Sequence, residues 1–187
     1  MDAVMRSGAT RGLLGLILVC AASACIGVSP EQRLAQDLGP DTGPYDTGPY
    51  HRAGFPCTNC HGDLWWQDHP TFELAGTVYR TPTDDQGQDG AVVSIQDATG
   101  KTITAQTNAV GNFFLVNGGT GTFRGSNQGS TVISGALVYP LRVSVKAGSA
   151  VQQMRGLIWR ERSCANCHDK RLGAGSNGRV FVQESSP

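Results

Sequence analysis

The feature that most constrains this chain is a five-residue pattern that occurs twice. The sequence reads Cys-Thr-Asn-Cys-His at residues 57–61 and Cys-Ala-Asn-Cys-His at residues 164–168. With 6 cysteines and 4 histidines in 187 residues, random placement predicts about 0.004 copies of this pattern per chain. Two copies therefore indicate two sites of the same kind, and the fold has to place both of them.

The spacing within each copy suits the attachment of a flat ring and the coordination of its metal. Cysteines three positions apart lie on one face of a helical turn, so two thiols can add to the two vinyl groups on one edge of a porphyrin. The next histidine is then carried under the ring, where an imidazole nitrogen can bind iron as the proximal ligand. This is the pattern of c-type haem attachment, so we expect two covalently bound haem c groups. The first would be held by Cys57, Cys60 and His61, and the second by Cys164, Cys167 and His168.

Two other chemistries use the same cysteine spacing. Two Cys-x-x-Cys knuckles can supply the four thiolates of a structural zinc site. Local disulfides, or a thioredoxin-like redox pair, also use this spacing, although no βαβ pattern surrounds either copy. Neither alternative requires a histidine in the same place twice, so haem attachment is the favoured interpretation.

Few side chains outside the two motifs can serve as a sixth ligand of iron. Two of the 4 histidines are proximal ligands, which leaves His51 before the first motif and His69 after it. Met154, ten residues before Cys164, is the only methionine beyond the N-terminal leader. Its alternative role is that of a side chain on the last predicted strand, packed in the hydrophobic core. The order of preference is His51, His69, then Met154.

The N-terminal 24 residues have the properties of an export signal. Arg6 and Arg11 precede an apolar stretch over residues 12–24. This stretch is too short to be expected to span a membrane. The last three residues of the stretch and the cysteine after it read Ala-Ser-Ala-Cys, which resembles a bacterial lipobox. The resemblance implies cleavage before Cys25 and attachment of lipid to the Cys25 thiol. An ordinary signal peptide cut nearby is the alternative. The resemblance to c-type cytochromes also implies export, because their haem is attached outside the cytoplasmic membrane.

The segment between the leader and the first motif is expected to be a linker. Asp-Thr-Gly-Pro-Tyr occurs at residues 41–45 and again at residues 46–50, a composition that favours extended or polyproline-like chain. The predicted organisation is a leader at 1–24, a linker at 25–50, a first haem-binding segment at 51–71, a β-sandwich at 72–154, and a second haem-binding segment with a tail at 155–187.

The chain between the motifs predicts about seven short strands without helical periodicity. Alternation of apolar and polar residues is strict over residues 141–146, and the turn composition at residues 97–100 separates two strands that should form a hairpin. A glycine count of 25 and an aromatic content of 7% also favour a loop-rich β protein. The expected fold is therefore mainly β, a β-sandwich flanked by two short haem-binding segments.

Five stretches of this region resemble the successive signatures of carboxypeptidase regulatory-like domains, over roughly residues 72–148. The resemblance implies a transthyretin-like, or prealbumin, Greek-key β-sandwich that acts as a spacer or binding module and is not catalytic. A glycine-rich insert at residues 117–129 departs from the family pattern. The matching stretches are Gly-Thr-Val at 76–78, Gly-Ala-Val-Val at 90–93, Asp-Ala-Thr-Gly-Lys at 97–101, Asn-Ala-Val-Gly-Asn-Phe at 108–113, and Leu-Arg-Val-Ser-Val-Lys-Ala-Gly at 141–148.

The charge balance and the absence of catalytic motifs narrow the function. Lys and Arg number 15 against 15 Asp and Glu, so there is no basic field for nucleic acid. The exported part carries no Ser-His-Asp set, paired-carboxylate pocket or phosphate loop. We expect a dihaem c-type cytochrome, and not an enzyme, that passes single electrons between redox proteins of the cell envelope. It would be in the periplasm or at the cell surface, as an outer-membrane lipoprotein.

Two further functions stay open. An iron with no sixth ligand would make the protein a small haem peroxidase or a gas-reactive haem protein. A sandwich that docks polysaccharide or protein would make it a binding module with redox-sensing haems. The two motifs are 107 positions apart, so they would lie at opposite poles of the sandwich unless the flanking segments fold back.

Overall fold

The computed structural model describes residues 30–41, 44–45, 47–63, 70–118, 129–170 and 175–183. The leader, Cys25 and His69 lie outside these ranges, and so does most of the glycine-rich insert. Within the described ranges, no helix is long and apolar enough to cross a membrane.

Two β-sheets account for most of the regular structure, so the protein is mainly β, as predicted. The strands are β1 (Phe72–Thr77), β2 (Val92–Gln96), β3 (Thr102–Gln106), β4 (Asn112–Asn117), β5 (Ser130–Ile133), β6 (Arg142–Ala147) and β7 (Ala150–Gln153). One sheet has the order β1-β4-β5 and the other has the order β3-β2-β6-β7. All neighbouring strands are antiparallel except β4 and β5, which are parallel.

The two sheets pack face to face over one hydrophobic core. Alternation along β2 and β6 turns every second side chain inward, and the register pairs Val93 with Val145 and Ile95 with Val143. Burying one valine or isoleucine side chain contributes about 1.5–3 kcal/mol to the stability of the fold. These four residues are buried against side chains of the other sheet, which include Leu74, Phe113 and Leu115.

The predicted hairpin of β2 and β3 is present, and its turn is fixed by one carboxylate. Asp97 Oδ1 accepts hydrogen bonds from the Thr99 hydroxyl at 2.6 Å, the Thr99 amide at 2.9 Å and the Lys101 amide at 3.1 Å. Gly100 has φ 85, a left-handed conformation that favours glycine. The hydrogen bond from the Thr99 side chain is the main reason why the pKa of Asp97 is lowered.

The sequence also predicts strands over residues 131–138 and 151–159, and both are shorter in the structure. β5 ends at Ile133 because Gly135, with φ 78, turns the chain. The strand predicted over residues 151–159 is β7 only as far as Gln153, after which Ile158 makes an isolated bridge to Leu141.

The predicted linker contains a helix and is not extended throughout. Residues Pro30–Asp37 form α1. Proline suits the first turn of a helix, where its missing N–H costs nothing. Gly39, with φ 67, follows the helix and donates its N–H to the Gln36 carbonyl at 3.0 Å. Local capping signals therefore override the extended preference of the surrounding composition.

Two segments of the C-terminal part of the chain pair with the free edge of β1 and with the residues that follow it. The Ala75 amide donates to the Arg162 carbonyl at 2.8 Å, so the segment before the second motif adds to the edge of the sheet. The Tyr79 amide, just beyond β1, donates to the Val180 carbonyl at 2.8 Å, which brings back the C-terminal tail. The flanking segments thus fold back, and the two motifs are not at opposite poles.

Candidate haem-binding site

The first motif forms a single helical turn. Helix α2 (Thr58–His61) begins directly after Cys57, and the His61 amide donates to the Cys57 carbonyl at 2.9 Å. The Cys60 amide donates to the same carbonyl at 3.2 Å. This turn gives Cys57 and Cys60 the spacing that the sequence predicts, with His61 directly after them.

The His61 ring is held by a backbone carbonyl and by an aromatic side chain. Its Nδ1 lies 2.9 Å from the Pro70 carbonyl oxygen, and the ring stacks on Phe72 with centroids 4.3 Å apart and planes at 19°. A carbonyl oxygen can only accept a hydrogen bond, so Nδ1 carries the proton of the neutral ring. The lone pair of Nε2 is therefore the one suited to a metal.

The second motif repeats this arrangement on a different local backbone. Cys164–Asn166 form a 3-10 helix, and the His168 amide donates to the Cys164 carbonyl at 2.8 Å. His168 Nδ1 lies 2.8 Å from the Gly178 carbonyl oxygen. The tail thus does for His168 what Pro70 does for His61, because it fixes the proton on Nδ1.

An apolar cleft of about 420 Å³ opens beside the first motif, on the outer face of the three-stranded sheet. His51 lies in it, and its ring is tilted relative to that of His61, at a centroid distance of 5.8 Å and an interplanar angle of 58°. His51 Nδ1 is hydrogen bonded to the Gly48 carbonyl oxygen. His51 is therefore placed as a second imidazole donor in the first cleft. Other lining residues are Cys57, Cys60, Phe55, Phe72 and Phe114.

A second apolar cleft of about 240 Å³ lies beside the second motif and reaches the core between the sheets. Met154 lines it together with His168, and the Met154 side chain also packs against the main hydrophobic core. Met154 is thus the sixth-ligand candidate that shares a cleft with the second motif. The remaining wall includes Cys164, Cys167, Val93, Phe113, Val145 and Phe181.

The two motif segments touch each other. The Cys57 amide donates to the hydroxyl of Ser163 at 3.2 Å, and Ser163 is only 1% exposed. Arg162 forms a bidentate ion pair with Asp63, with N–O distances of 3.0 and 2.7 Å. The first cysteines of the two motifs, 107 positions apart in the chain, therefore lie in neighbouring segments.

Desolvation raises the pKa of three of the motif thiols. It raises the pKa of Cys57 to about 11 and that of Cys164 to about 12, and it also raises the pKa of Cys60. Reactive redox cysteines and zinc ligands need an environment that favours the thiolate. The four motif cysteines are free thiols. Among the residues that the structure describes, no group of three or more His, Cys, Asp or Glu side chains is placed to hold a metal ion.

The residues present fit a covalently attached haem at each cleft. Each motif supplies two thiols on one turn and a histidine whose Nδ1 contacts a carbonyl. Each adjoining cleft has apolar walls that would cover a flat aromatic ring and exclude water. Each cleft also contains one side chain outside the motif that can bind iron. His69 lies outside the described residues.

Several residues that shape the site were not identified from the sequence. Ser163, Asn108 and Asn112 hold the motif segments, and the tail residue Gly178 fixes His168. Asn108 and Asn112 do lie in one of the stretches that resemble carboxypeptidase regulatory-like domains, but as turn residues. No family model, curated protein or solved structure matches the chain, so the assignment depends on its own residues.

Proposed function

We propose that this chain is an exported dihaem c-type cytochrome that transfers single electrons in the bacterial cell envelope. The observation that carries this proposal is the repetition of one arrangement at two apolar clefts. In both, two cysteines lie on one turn and the following histidine has its Nδ1 on a backbone carbonyl. An accidental pair of cysteine motifs would have no reason to share this histidine geometry.

The protein side chains would bind, orient and shield the group at each cleft. A bound haem c supplies a one-electron Fe(III)/Fe(II) couple. Cys57 and Cys60 would form the thioether bonds at the first cleft, and His61 would bind iron through Nε2. Phe72 holds the His61 ring in place by stacking, and Phe114 stacks on Phe72 with centroids 5.1 Å apart. These rings would exclude water from the side of the cleft on which His61 lies.

The two sites would differ in their sixth ligand. The closeness of the His51 and His61 rings, with centroids 5.8 Å apart in the same cleft, supports bis-histidine ligation at the first cleft. The presence of Met154 beside His168 supports histidine and methionine ligation at the second. Methionine raises the reduction potential of a haem relative to histidine. We therefore assign the lower potential to the first site and the higher potential to the second.

The β-sandwich would serve as the frame that brings the two motifs together. We assign it to the transthyretin-like, Greek-key class of carboxypeptidase regulatory-like domains on the five sequence stretches given above. Its seven strands in two sheets agree with that class in general architecture. The edge of β1 binds the segment before the second motif, which is how the frame sets the distance between the sites.

The proposed location and partners follow from the leader. A lipid anchor on Cys25 would tether the protein to a membrane, in the periplasm or at the surface of the outer membrane. Electron donors and acceptors would then be other redox proteins of the envelope. With 15 positive and 15 negative side chains, no nucleic-acid partner is proposed.

The test is the haem content of the mature protein made in a host that attaches c-type haem. Intact mass is expected to show two haems that survive denaturation. The double variants C57A/C60A and C164A/C167A are each expected to retain one haem. Protein with no covalent haem, or with bound zinc in its place, would overturn the proposal.

A second candidate function is a gas-reactive haem protein with an open iron at the second site. The observation in its favour is that the Met154 side chain also packs against the main core, which competes with ligation. Rapid binding of one equivalent of carbon monoxide to the reduced wild-type protein, unaffected by Met154→Ala, would favour this function. Resistance of both sites to carbon monoxide would favour electron transfer.

A further inference from the structure

A turn of the β-sandwich holds the backbone on which His51 lies. The Asn112 side-chain amide donates to the Pro49 carbonyl at 3.2 Å and to the His51 carbonyl at 3.1 Å. Asn108, at the other end of the same turn, donates to the Pro49 carbonyl at 2.7 Å. Both asparagines are almost fully buried, with 4–5% of their surface exposed. These contacts join the sandwich to the residues on and before His51.

The same network also holds the chain after His51. Asn112 Oδ1 accepts the hydrogen bond of the Thr77 hydroxyl at 2.7 Å, and the Thr77 oxygen accepts one from the Gly54 amide at 2.7 Å. Asn112 therefore connects, directly or through Thr77, to carbonyls and amides on both sides of His51. A buried network whose members are all paired makes one arrangement much more stable than the others.

The backbone directly after His51 has a conformation that needs this support. Arg52 has φ 50, in the left-handed region that residues other than glycine rarely adopt. Its amide donates to Asp41 Oδ2 at 3.1 Å. Such a conformation is strained and persists only where surrounding contacts impose it. The chain is thus bent at the residue that follows a candidate iron ligand.

We propose that Asn112, assisted by Asn108, is a positioning residue that presents His51 to the iron of the first site. The inference rests on the proposed function, since it needs a haem at the first cleft. Asn112 also lines the first cleft, but its side-chain amide donates to the carbonyls of Pro49 and His51, so we assign it a role through the backbone of His51. Because the carbonyls of residues 49 and 51 are fixed before ligation, the histidine does not have to be ordered from a mobile loop when it binds.

The test compares four single variants of the haem-loaded protein. N112D keeps the shape and the acceptor toward Thr77 but loses the amide that donates to Pro49 and His51. H51A removes the ligand itself. N117D is the matched control, because Asn117 ends the same strand and its amide donates to Glu73 at 3.5 Å. N108D serves as a second positioning variant, because Asn108 Oδ1 also accepts from the amides of Val110 and Asn112.

The readouts are spin state and carbon monoxide binding at each site. In H51A, one of the two haems is expected to become high-spin and to bind one equivalent of carbon monoxide. In N112D, and to a lesser degree in N108D, carbon monoxide is expected to bind the first site several-fold faster than in wild type. The second site should be unchanged, and N117D should behave as wild type.

Three results would overturn the inference, and they are distinguishable. If N112D and N108D match wild type while H51A opens the first site, His51 needs no positioning and the cytochrome proposal stands. If H51A changes no spectrum although two haems are bound, His51 is not the ligand. If no covalent haem is present, the proposed function fails and the inference fails with it.

Discussion

Cys164 lies so close to β1 that the strand has room only for glycine at position 76. A Cβ on Gly76 would lie 2.7 Å from Cys164 Sγ and 2.8 Å from Cys164 Cβ, nearer than real Cβ atoms approach. The obstacle is a short side chain on a fixed turn, which has little freedom to move. The glycine therefore serves the close approach of the second motif to the sheet.

Gly76→Ala is expected to displace the second motif and leave the first in place. Inserting a methyl group into a packed site lowers stability by about 1–3 kcal/mol, because the neighbouring atoms must shift. Intact mass should show partial loss of one haem, and urea unfolding should show a lower stability. Gly156→Ala is the control, since its Cβ would meet nothing nearer than Met154 Cε at 4.0 Å. Two full haems and unchanged unfolding in G76A would contradict this account of the glycine.

The partly buried, desolvated thiols of Cys57 and Cys164 give the haem-free protein a pH-dependent stability. Desolvation raises the pKa of Cys57 from 9.0 to about 11 and that of Cys164 from 9.0 to about 12. Between these pKa values, the folded state keeps the thiol protons that the unfolded state loses. The contribution of the two thiols to the free energy of unfolding is therefore complete below pH 9 and is lost as the pH rises toward 11–12. Urea unfolding of protein made without haem attachment should show the free energy of unfolding falling over this range.

The same desolvation predicts that these two thiols are poor nucleophiles. Alkylation at pH 8 should be much slower at Cys57 and Cys164 in folded haem-free protein than at the same residues in denaturant, because the thiolate reacts. The position of labelling can be read by peptide mass. Equal rates in the folded and unfolded protein would show that the thiols are not desolvated.

At the scale of the elements, one buried serine joins the two motif segments to the sheet. Ser163 forms a bridge with Ala75 of β1, and its hydroxyl accepts the amide hydrogen of Cys57. The nearby pair of Arg162 and Asp63 is bidentate, but Asp63 is 66% exposed. Exposed ion pairs contribute about 0.2–1 kcal/mol to stability. We therefore expect the hydrogen bond to Ser163 to contribute more to stability than the ion pair does.

Ser163→Ala is expected to lower the free energy of unfolding by about 1–3 kcal/mol, because the half-buried Cys57 amide loses its hydrogen-bond acceptor. The control is Asp63→Asn, which should cost no more than about 1 kcal/mol. Urea unfolding of the haem-loaded protein measures both. A larger loss in D63N than in S163A would show that the ion pair holds the segments together.

The strands and the motif residues could be predicted from the sequence because their signals are local. Alternation over β6 and the turn at Asp97 each involve residues close in the chain. The pairing of β1 with Ser163 could not be predicted, because it joins positions far apart and carries no local pattern. Asn112 likewise resembles an ordinary strand-end residue until the chain around Pro49 is placed beside it.

At the scale of the whole molecule, β4 separates the two clefts. Phe113 and Phe114 are consecutive residues of β4, so their side chains point to opposite faces of the sheet. Phe113 lines the second cleft and Phe114 lines the first. Strand alternation thus assigns one phenylalanine to each site, and the thickness of a single sheet divides them.

This arrangement predicts two haems close enough to couple. Cys57 and Ser163 are joined by a hydrogen bond, and Cys164 is the next residue, so both attachment turns start at the same point on β1. Circular dichroism in the Soret region should show a two-signed exciton band in the wild-type protein. The band should vanish in C57A/C60A and in C164A/C167A, and an equimolar mixture of the two variants should not restore it. A single-signed band in wild-type protein that carries both haems would contradict the prediction that the two rings are coupled.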